Sequence, residues 1–347
     1  MAERATPQKK KRPSMNDVAQ LAGVSQTTVS FVVNNVEGAN IPPETQERIW
    51  AAVQELGYRP NALARGLRSN QTHTIGFVTD QIATTPYTVR ILEGAQDLAW
   101  AHGYLLLLVN TGGNQEIKQA AIDTILERQV DGLIYATMYH REVFPTDSMR
   151  ELPAVLLDCY SADRAFPSVV PDEVLGGRTA VEFLLKKGHR RIGFAQDSNP
   201  VPAAVGRLKG LKQVLAAYDI PFEEALVQRG QSIPAGGYQA TMALMRLPNP
   251  PTAIFCYNDR MALGAYNALR DLNLSIPNDV AIIGFDNQEL IAADISPSLT
   301  TMALPHYEMG QWAVQHLLEL IEKTDLAESG QPTQQLLACP LIERASV

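Results

Sequence analysis

The sequence has 347 residues, of which 46% are hydrophobic, and a formal net charge of -8. This length predicts two or three domains with a sizeable core. The sequence has no apolar run long enough to cross a bilayer and no apolar segment behind its basic N-terminus, so we expect a cytoplasmic protein without a membrane partner. Cys159, Cys256 and Cys339 are widely separated, which predicts reduced thiols and argues against a metal site.

The charge is distributed unevenly along the chain. Residues 1–72 carry nine basic and six acidic side chains, so the net charge of the remainder is -11. A basic end on an acidic body permits a polyanionic partner at that end alone. The KKKR run within residues 1–13 is consistent with a disordered tail and equally with an arm that contacts phosphates.

Residues 17–35, DVAQLAGVSQTTVSFVVNN, have apolar residues at the spacing of two short helices joined by a tight turn. Gly23 accepts the positive φ that the turn needs, and Ser25 is a natural N-cap for the second helix. A third helix, from Pro43 to Leu56, completes a small core. The pattern predicts a helix-turn-helix, with an ordinary three-helix bundle as the alternative. The second helix would project Gln26, Thr27, Thr28, Ser30 and Phe31.

A second motif, LGYRPNALARGLR, follows at residues 56–68. Gly57 is expected to end the third helix, and Asn61 to cap a further helix of one or two turns. Helices this short are marginal in water, so we expect it to fold only when something holds it.

Together, DVAQLAGVSQTTVSFVVN and GYRPNALARGLR resemble the DNA-binding headpiece and hinge of the lactose-repressor/galactose-repressor (LacI/GalR) family, and the resemblance continues through the whole chain. It implies a headpiece over residues 14–59, a hinge helix and linker over 60–72, and an effector-binding and dimerisation domain over 73–347. It also implies that two hinge helices pair in the minor groove, with Leu67 as an apolar wedge and Ala64 at their contact.

The resemblance implies base contacts from Gln26, Thr27 and Phe31. Phe31 is a departure, because many members carry an arginine there that can contact guanine. A phenylalanine can contact a thymine methyl group or pack against the headpiece, so we expect a changed preference at that base pair. Asn34 and Tyr58 are expected to contact phosphates. The complete expected DNA-binding set is Ser25, Gln26, Thr27, Thr28, Phe31 and Asn34 in the headpiece, and Tyr58, Asn61, Ala64 and Leu67 toward the hinge.

From Thr74 onward, nearly all-apolar runs alternate with amphipathic helical segments. This rhythm is typical of an α/β fold with doubly wound parallel sheets, and its length predicts two lobes. The resemblance implies a type I periplasmic-binding-protein-like domain whose chain crosses between lobes near Pro171, Pro305 and Gln331. The expected N-lobe spans about 73–171 and 305–331, and the C-lobe about 172–304 and 332–347. The predicted strands are 74–80, 104–110, 131–137, 153–158, 190–196, 252–258 and 279–286.

Ligands of open α/β sheets bind beyond the carboxyl ends of the strands, which here means the cleft between the lobes. Asp172, Asn258 and Asp286 lie at such ends and are candidate effector ligands, although Asp172 and Asp286 also fit cap or inter-lobe roles. By resemblance, Arg207 in VGRLKG and Tyr87 in TTPYT are further candidates. Where some relatives have stacking aromatics, this chain has Thr88 and Ser232.

We expect neither an enzyme nor a cofactor, because no nucleophile-elbow, zinc-protease or phosphate-loop spacing occurs and the six histidines are scattered. The hypothesis is a transcriptional regulator, most simply a repressor, that binds a palindromic operator as a homodimer under control of a small-molecule effector such as a carbohydrate. Two alternatives stay open: an architectural DNA binder with an unresponsive cleft, and a sugar-binding transport module.

Overall fold

The computed structural model describes residues 13–36, 38–59, 71–85, 88–323 and 333–347. The chain divides into two compact units at the boundary between Thr72 and His73. The expectations for Asn61, Ala64, Leu67 and Tyr87, and for residues 1–12, lie outside the described residues.

Three helices form the first unit: α1 (Met15–Ala22), α2 (Gln26–Val33) and α3 (Pro43–Leu56). Ser25 accepts a hydrogen bond from the Thr28 N–H at 3.1 Å, which confirms it as the N-cap of α2. Gly23 and Gly57 end α1 and α3 in the left-handed conformation, with φ of 66° and 61°. The core of this unit contains Val18, Ala19, Ala22, Val29, Val32, Ile49, Ala52 and Tyr58.

The second unit contains two six-stranded sheets. The first has the strand order β11-β5-β4-β3-β1-β2, and all its pairings are parallel among the described residues. Its strands are β1 (Thr74–Thr79), β2 (Leu105–Asn110), β3 (Gly132–Glu142), β4 (Ala154–Tyr160), β5 (Ser168–Pro171) and β11 (Gln334–Leu337). Its helices are α4 (Val89–Ala101), α5 (Gln115–Glu127) and α11 (His306–Glu322).

The second sheet has the order β12-β10-β9-β8-β6-β7, and the edge strand β12 is antiparallel to β10. Its strands are β6 (Ile192–Asp197), β7 (Val227–Gly230), β8 (Ala253–Cys256), β9 (Ala281–Asp286), β10 (Thr300–Ala303) and β12 (Leu341–Ile342). The helices of this lobe are α6 (Glu173–Lys186), α7 (Pro202–Ala217), α8 (Pro234–Met245), α9 (Asp259–Asp271) and α10 (Glu289–Ala292). The two-sheet α/β architecture agrees with the predicted fold class.

The chain passes between the sheets after β5, after β10 and again between β11 and β12. The third passage differs from the expectation. Residues 334–337 pair in parallel with β5, so they complete the first sheet and do not belong to the C-lobe. The crossing therefore lies between Leu337 and Leu341 instead of near Gln331.

Strand β2 also differs from the expected doubly covered strand. It is the edge strand of the first sheet, and Leu105, Leu107 and Leu108 are 55%, 37% and 41% exposed. An apolar edge strand left open to water is a site for association with another chain.

Candidate functional site

The helix α2 presents a polar and aromatic face to solvent. Gln26 and Thr27 are exposed, and Phe31 is 39% exposed and lies outside the headpiece core. This outward position of Phe31 favours contact with a partner over the alternative role, packing against the headpiece. Ser30 was expected to project with them, but it is buried at 5% exposure, because it lies beside Val29 on the core side of α2.

Asn34 and Tyr58 are both engaged within the headpiece. Asn34 is the C-cap residue of α2, and its Nδ2 donates to the Ser30 carbonyl at 2.8 Å. The ring of Tyr58 is part of the core, at 8% exposure. Contacts within the headpiece therefore fix the positions of the Asn34 side chain and the Tyr58 ring in the absence of DNA.

A cavity of about 430 Å³ lies between the two sheets, where the carboxyl ends of strands from both lobes converge. The first lobe contributes residues at the ends of β3, β4 and β5. The second contributes the last residues of β6 and β9 and residues that follow β6 and β8. Its lining residues include Tyr139, His140, Asp158, Glu173, Arg207 and Asp286.

Arg207 is the central charge of this cavity and is only 3% exposed. Its Nε donates to Glu173 Oε2 at 2.8 Å, its Nη1 donates to the Tyr257 carbonyl, and Nη1 lies 3.7 Å from Asp286 Oδ1. The guanidinium lies 3.5 Å from the ring centroid of Phe285, a cation–π arrangement. Although burial opposes its charge, Glu173 and the other nearby groups raise the pKa of Arg207, so it stays cationic.

Two helices must approach closely to form this ion pair. Arg207 lies on α7, and Glu173 begins α6. A Cβ atom on Gly206 would lie 2.6 Å from the Glu173 Cβ, and one on Gly177 would lie 2.5 Å from the Arg207 carbonyl oxygen. Glycine is therefore required at both positions, and it permits the contact that places Arg207 at the cavity wall.

Asp286 ends β9 and lines the cavity, as predicted from its place in the sequence. Its φ of 106° is unfavourable for a residue with a side chain, and such strain is concentrated at functional sites. Burial raises the pKa of Asp286 to about 6 against the opposing attraction of Arg207. The Gln288 amide donates to its Oδ2 at 3.0 Å.

Asn258 and Asp172 have different positions. Asn258 lines the cavity and also caps α9, since its Oδ1 accepts from the Met261 N–H at 2.8 Å. Asp172 accepts from the Leu175 N–H at 2.9 Å as the N-cap of α6 and does not line the cavity. Asp172 therefore has the cap role that was its alternative, and its neighbour Glu173 lines the cavity wall instead.

The cavity contains carboxylates that the sequence reading missed. Asp158 lies within β4, near the end of a predicted apolar run, and Asp197 ends β6 one residue beyond the predicted strand. Both could have been found by the strand-end argument that found Asp286. Burial, reinforced by Glu173, raises the pKa of Asp158 well above its ordinary value.

Among the described residues, no group of three His, Cys, Asp or Glu side chains is arranged to hold a metal ion. None of the helices in that part of the chain has the length and apolar character of a membrane span.

Replacing Arg207 by Met should destabilise the protein by about 3–5 kcal/mol near pH 8, because buried carboxylates lose their counter-charge. A carboxyl with a raised folded-state pKa costs stability as pH rises, so the loss should shrink toward pH 5, where Asp286 is protonated. Urea unfolding followed by circular dichroism at both pH values measures this.

The matched control is Arg178→Met, which removes an exposed guanidinium paired with Glu182 on α6. It should change stability by less than about 0.5 kcal/mol at either pH. Adding Glu173→Gln to Arg207→Met should restore part of the loss. Equal losses in Arg178→Met and Arg207→Met would contradict the buried-pair account.

Comparison with known proteins assigns both units. Residues 14–61 match the family described as bacterial regulatory proteins, lacI family, and residues 181–347 match a periplasmic binding protein-like domain. The chain is 34% identical over 316 residues to the HTH-type transcriptional repressor PurR of Vibrio atlanticus, covering 90% of this chain and 93% of the relative. It is 34% identical over 341 residues to the ribose operon repressor of Escherichia coli K12, covering 96% and 99%.

Solved structures agree. The lac repressor dimer bound to operator and the anti-inducer ONPF aligns with a TM-score of 0.78 at 29% identity, covering 97% of this chain and 99% of that one. A complex of the transcriptional regulator CelR with cellobiose aligns with a TM-score of 0.67 at 28% identity, covering 97% and 100%. The exposed α2 face, the two-sheet unit with its cavity and these similarities together place this chain in the LacI family of DNA-binding transcriptional regulators.

Proposed function

We propose that the chain is a cytoplasmic repressor that binds a palindromic operator as a homodimer and responds to an uncharged carbohydrate in the cavity around Arg207. The observation that carries this proposal is the cavity itself, where polar groups from two sheets converge around one buried guanidinium. A cleft with converging polar groups is a ready binding site for a small molecule.

The operator would be read by α2. Gln26 and Thr27 are exposed on its first turn, where they can hydrogen-bond base edges in the major groove, while Phe31 offers an apolar surface to a thymine methyl group. Ser25, Thr28 and Asn34 would support or contact the phosphate backbone beside them. From the family resemblance we further propose that Asn61, Ala64 and Leu67 serve the hinge contact in the minor groove, with Leu67 as the wedge, and that Tyr58 contacts a phosphate.

The charge of the cavity supports an uncharged effector. Its walls hold four carboxyl groups and two guanidiniums, and Arg207 is already neutralised by Glu173 and Asp286. The carboxyl groups outnumber the guanidiniums and Arg207 is paired, so a phosphate or carboxylate on the ligand would meet more carboxyl groups than free cations, whereas hydroxyl groups can donate to the carboxylate oxygens. The carboxyl groups are Asp158, Glu173, Asp197 and Asp286, and the second guanidinium is that of Arg260. The CelR relative in complex with cellobiose is consistent with a neutral sugar.

The homodimer is supported by the exposed edge of the first sheet. Leu105, Leu107 and Leu108 of β2 are exposed. On one face of the sheet, Leu108 lines an apolar hollow with Leu106, Phe77 and Val89. A second copy of the chain would cover this apolar area and remove the open strand edge. Two copies are also what a palindromic operator requires.

Regulation would follow from the three chain crossings that connect the lobes. A ligand that binds both walls favours one arrangement of the lobes. It strengthens DNA binding if the operator-bound protein prefers the same arrangement, and weakens DNA binding if the operator-bound protein prefers the other. The coupling is equal in both directions, so operator binding must shift effector affinity by the same factor.

Operator selection on random duplexes should return a palindrome for the wild-type chain. Affinity for that site, measured by fluorescence anisotropy at fixed salt, should change at least about tenfold with one neutral sugar, equivalent to about 1.4 kcal/mol of coupling. Sugar phosphates and nucleobases serve as comparison compounds. A selected palindrome whose affinity no compound changes would favour the unresponsive DNA binder, and no selected site would overturn the proposal.

Phe31→Arg should change the selected operator at one position in each half-site toward guanine, because arginine can make a paired contact to its major-groove edge. The control is Val36→Arg, which adds the same charge at an exposed headpiece position after α2. Val36→Arg should tighten binding generally without altering the sequence preference. An unchanged preference in Phe31→Arg would show that position 31 does not face the bases.

Leu107→Glu combined with Leu108→Glu should raise the dimer dissociation constant about 100-fold or more, because buried apolar contacts would be replaced by charges. Sedimentation analysis of the full chain measures this. Tyr218→Glu, at an exposed position following α7, is the control and should leave the dimer intact. A double variant that remains dimeric would place the interface elsewhere.

A further inference from the structure

Strand β3 contains a large bulge at the cavity wall. Ala136 pairs with Leu157 and Arg141 pairs with Cys159, so four residues of β3 lie opposite the single residue Asp158 of β4. Bulges re-aim side chains, and they are over-represented next to functional sites. We call residues 137–140 the β3 bulge.

The β3 bulge is held by contacts on both sides. The Thr137 hydroxyl bonds to the Asp158 carbonyl at 2.9 Å and to the Tyr139 carbonyl at 3.0 Å. The Met138 N–H donates to Asp80 Oδ1 at 3.0 Å, and Arg141 pairs with Asp80 Oδ2 at 2.7 Å. These contacts satisfy the Met138 N–H and the Tyr139 carbonyl, two main-chain groups of the bulge, and tie the bulge to β4 and to Asp80.

Three successive side chains of the bulge, those of Met138, Tyr139 and His140, line the cavity. In a regular strand, successive side chains would alternate between the two faces of the sheet. The extra residues therefore concentrate two aromatic rings at a wall that a regular strand would supply with one or none. Position 88 is a buried threonine and Ser232 lies on the opposite lobe, so neither provides a ring.

Both ring nitrogens of His140 are buried and lack a hydrogen-bond partner among the described residues. Its ring packs edge-on against Tyr160 at 5.6 Å between centroids. Burial, aided by the charge of Arg207, lowers the pKa of His140 to about 4, so near neutral pH the imidazole offers one donor and one acceptor. Leaving such groups without a partner is unfavourable, and a bound hydroxyl group would satisfy them.

Two more cavity side chains have a buried polar atom without a hydrogen-bond partner. Asp158 Oδ1, from the first lobe, and Arg260 Nε, from the second, are buried without a partner in the described part of the chain. Tyr139 is 38% exposed, and its ring is backed by Arg141, whose guanidinium lies 5.0 Å from the ring centroid. The wall thus combines an accessible aromatic surface with unmet donors and acceptors.

We propose that the β3 bulge determines effector specificity in this chain, with Tyr139 stacking on the apolar face of a sugar ring and His140 both donating to and accepting from its hydroxyl groups. This inference rests on the proposed carbohydrate effector and assigns its recognition to two residues. Aromatic surfaces combined with a few placed polar groups are the usual construction of such pockets.

The test uses the full-length protein and a panel of neutral mono- and disaccharides, sugar phosphates and nucleobases, with dissociation constants from titration calorimetry. His140→Phe keeps the ring against Tyr160 and removes both nitrogens, and Tyr139→Ala removes an exposed ring. Each should weaken binding of the best neutral sugar about tenfold or more, equivalent to about 1.4 kcal/mol. Operator affinity without sugar should stay within about twofold, since neither residue belongs to the DNA-binding set.

Phe144→Ala is the matched control, because Phe144 follows the same strand, is 78% exposed and does not line the cavity. It should bind sugar like the wild type. Deoxy analogues supply a readout that a purely structural role would not change. In the wild type, the analogue lacking the hydroxyl group bound by His140 should bind more weakly than the parent sugar. In His140→Phe, the analogue and the parent sugar should bind equally well.

Wild-type-like sugar binding by both Tyr139→Ala and His140→Phe would overturn the inference and leave the proposed function standing. Binding of only phosphorylated or nucleobase compounds would overturn both the inference and the proposed uncharged carbohydrate effector. Failure of the wild type to bind any compound or to respond to one would overturn both. If His140→Phe folds poorly, the same comparison of deoxy analogues with the parent sugar in His140→Asn tests the inference.

Discussion

The effector unit depends on one buried charge. The Arg207 guanidinium lies between carboxylates and aromatic rings with almost no access to water, and taking it from solvent is costly unless every neighbour compensates. Glu173 compensates fully, and Asp286 does so at the longer distance of 3.7 Å. The looser contact with Arg207 only partly offsets burial, which raises the pKa of Asp286 to about 6.

The rest of the second unit can be understood as the support that this charge needs. Gly177 and Gly206 bring α6 and α7 together, β9 carries Phe285 under the guanidinium and Asp286 beside it, and β8 delivers the Tyr257 carbonyl. None of these contacts crosses to the first lobe. The first lobe instead contributes the polar wall around Asp158 and the β3 bulge. Unmet hydrogen-bonding groups face the cavity from both lobes, at Asp158 and His140 on the first and at Arg260 on the second.

Local signals in the sequence predicted the headpiece closely, because helix ends depend on single residues: Ser25 caps α2, and Gly23 and Gly57 adopt the left-handed conformation. The strand-end rule located Asn258 and Asp286, since the carboxyl ends of parallel strands meet at one edge. It failed for Asp172, where a cap and a ligand require the same residue type. The bulge at 137–140 and the Glu173–Arg207 pair depend on residues distant in sequence, and the four-residue strands β5, β7 and β10 are too short for a periodic pattern.

The final segment has a consequence for how the molecule is made. Residues 334–337 add the last strand to the first sheet, and residues 341–342 close the edge of the second. Ser346, fully buried, accepts from the Thr300 N–H and donates to the Ile282 carbonyl, tying β9 to β10. Neither lobe is therefore complete while residues 334–347 remain in the ribosome. Synthesis of the headpiece comes first, so a nascent chain has a finished DNA-reading unit well before it has a finished regulatory one.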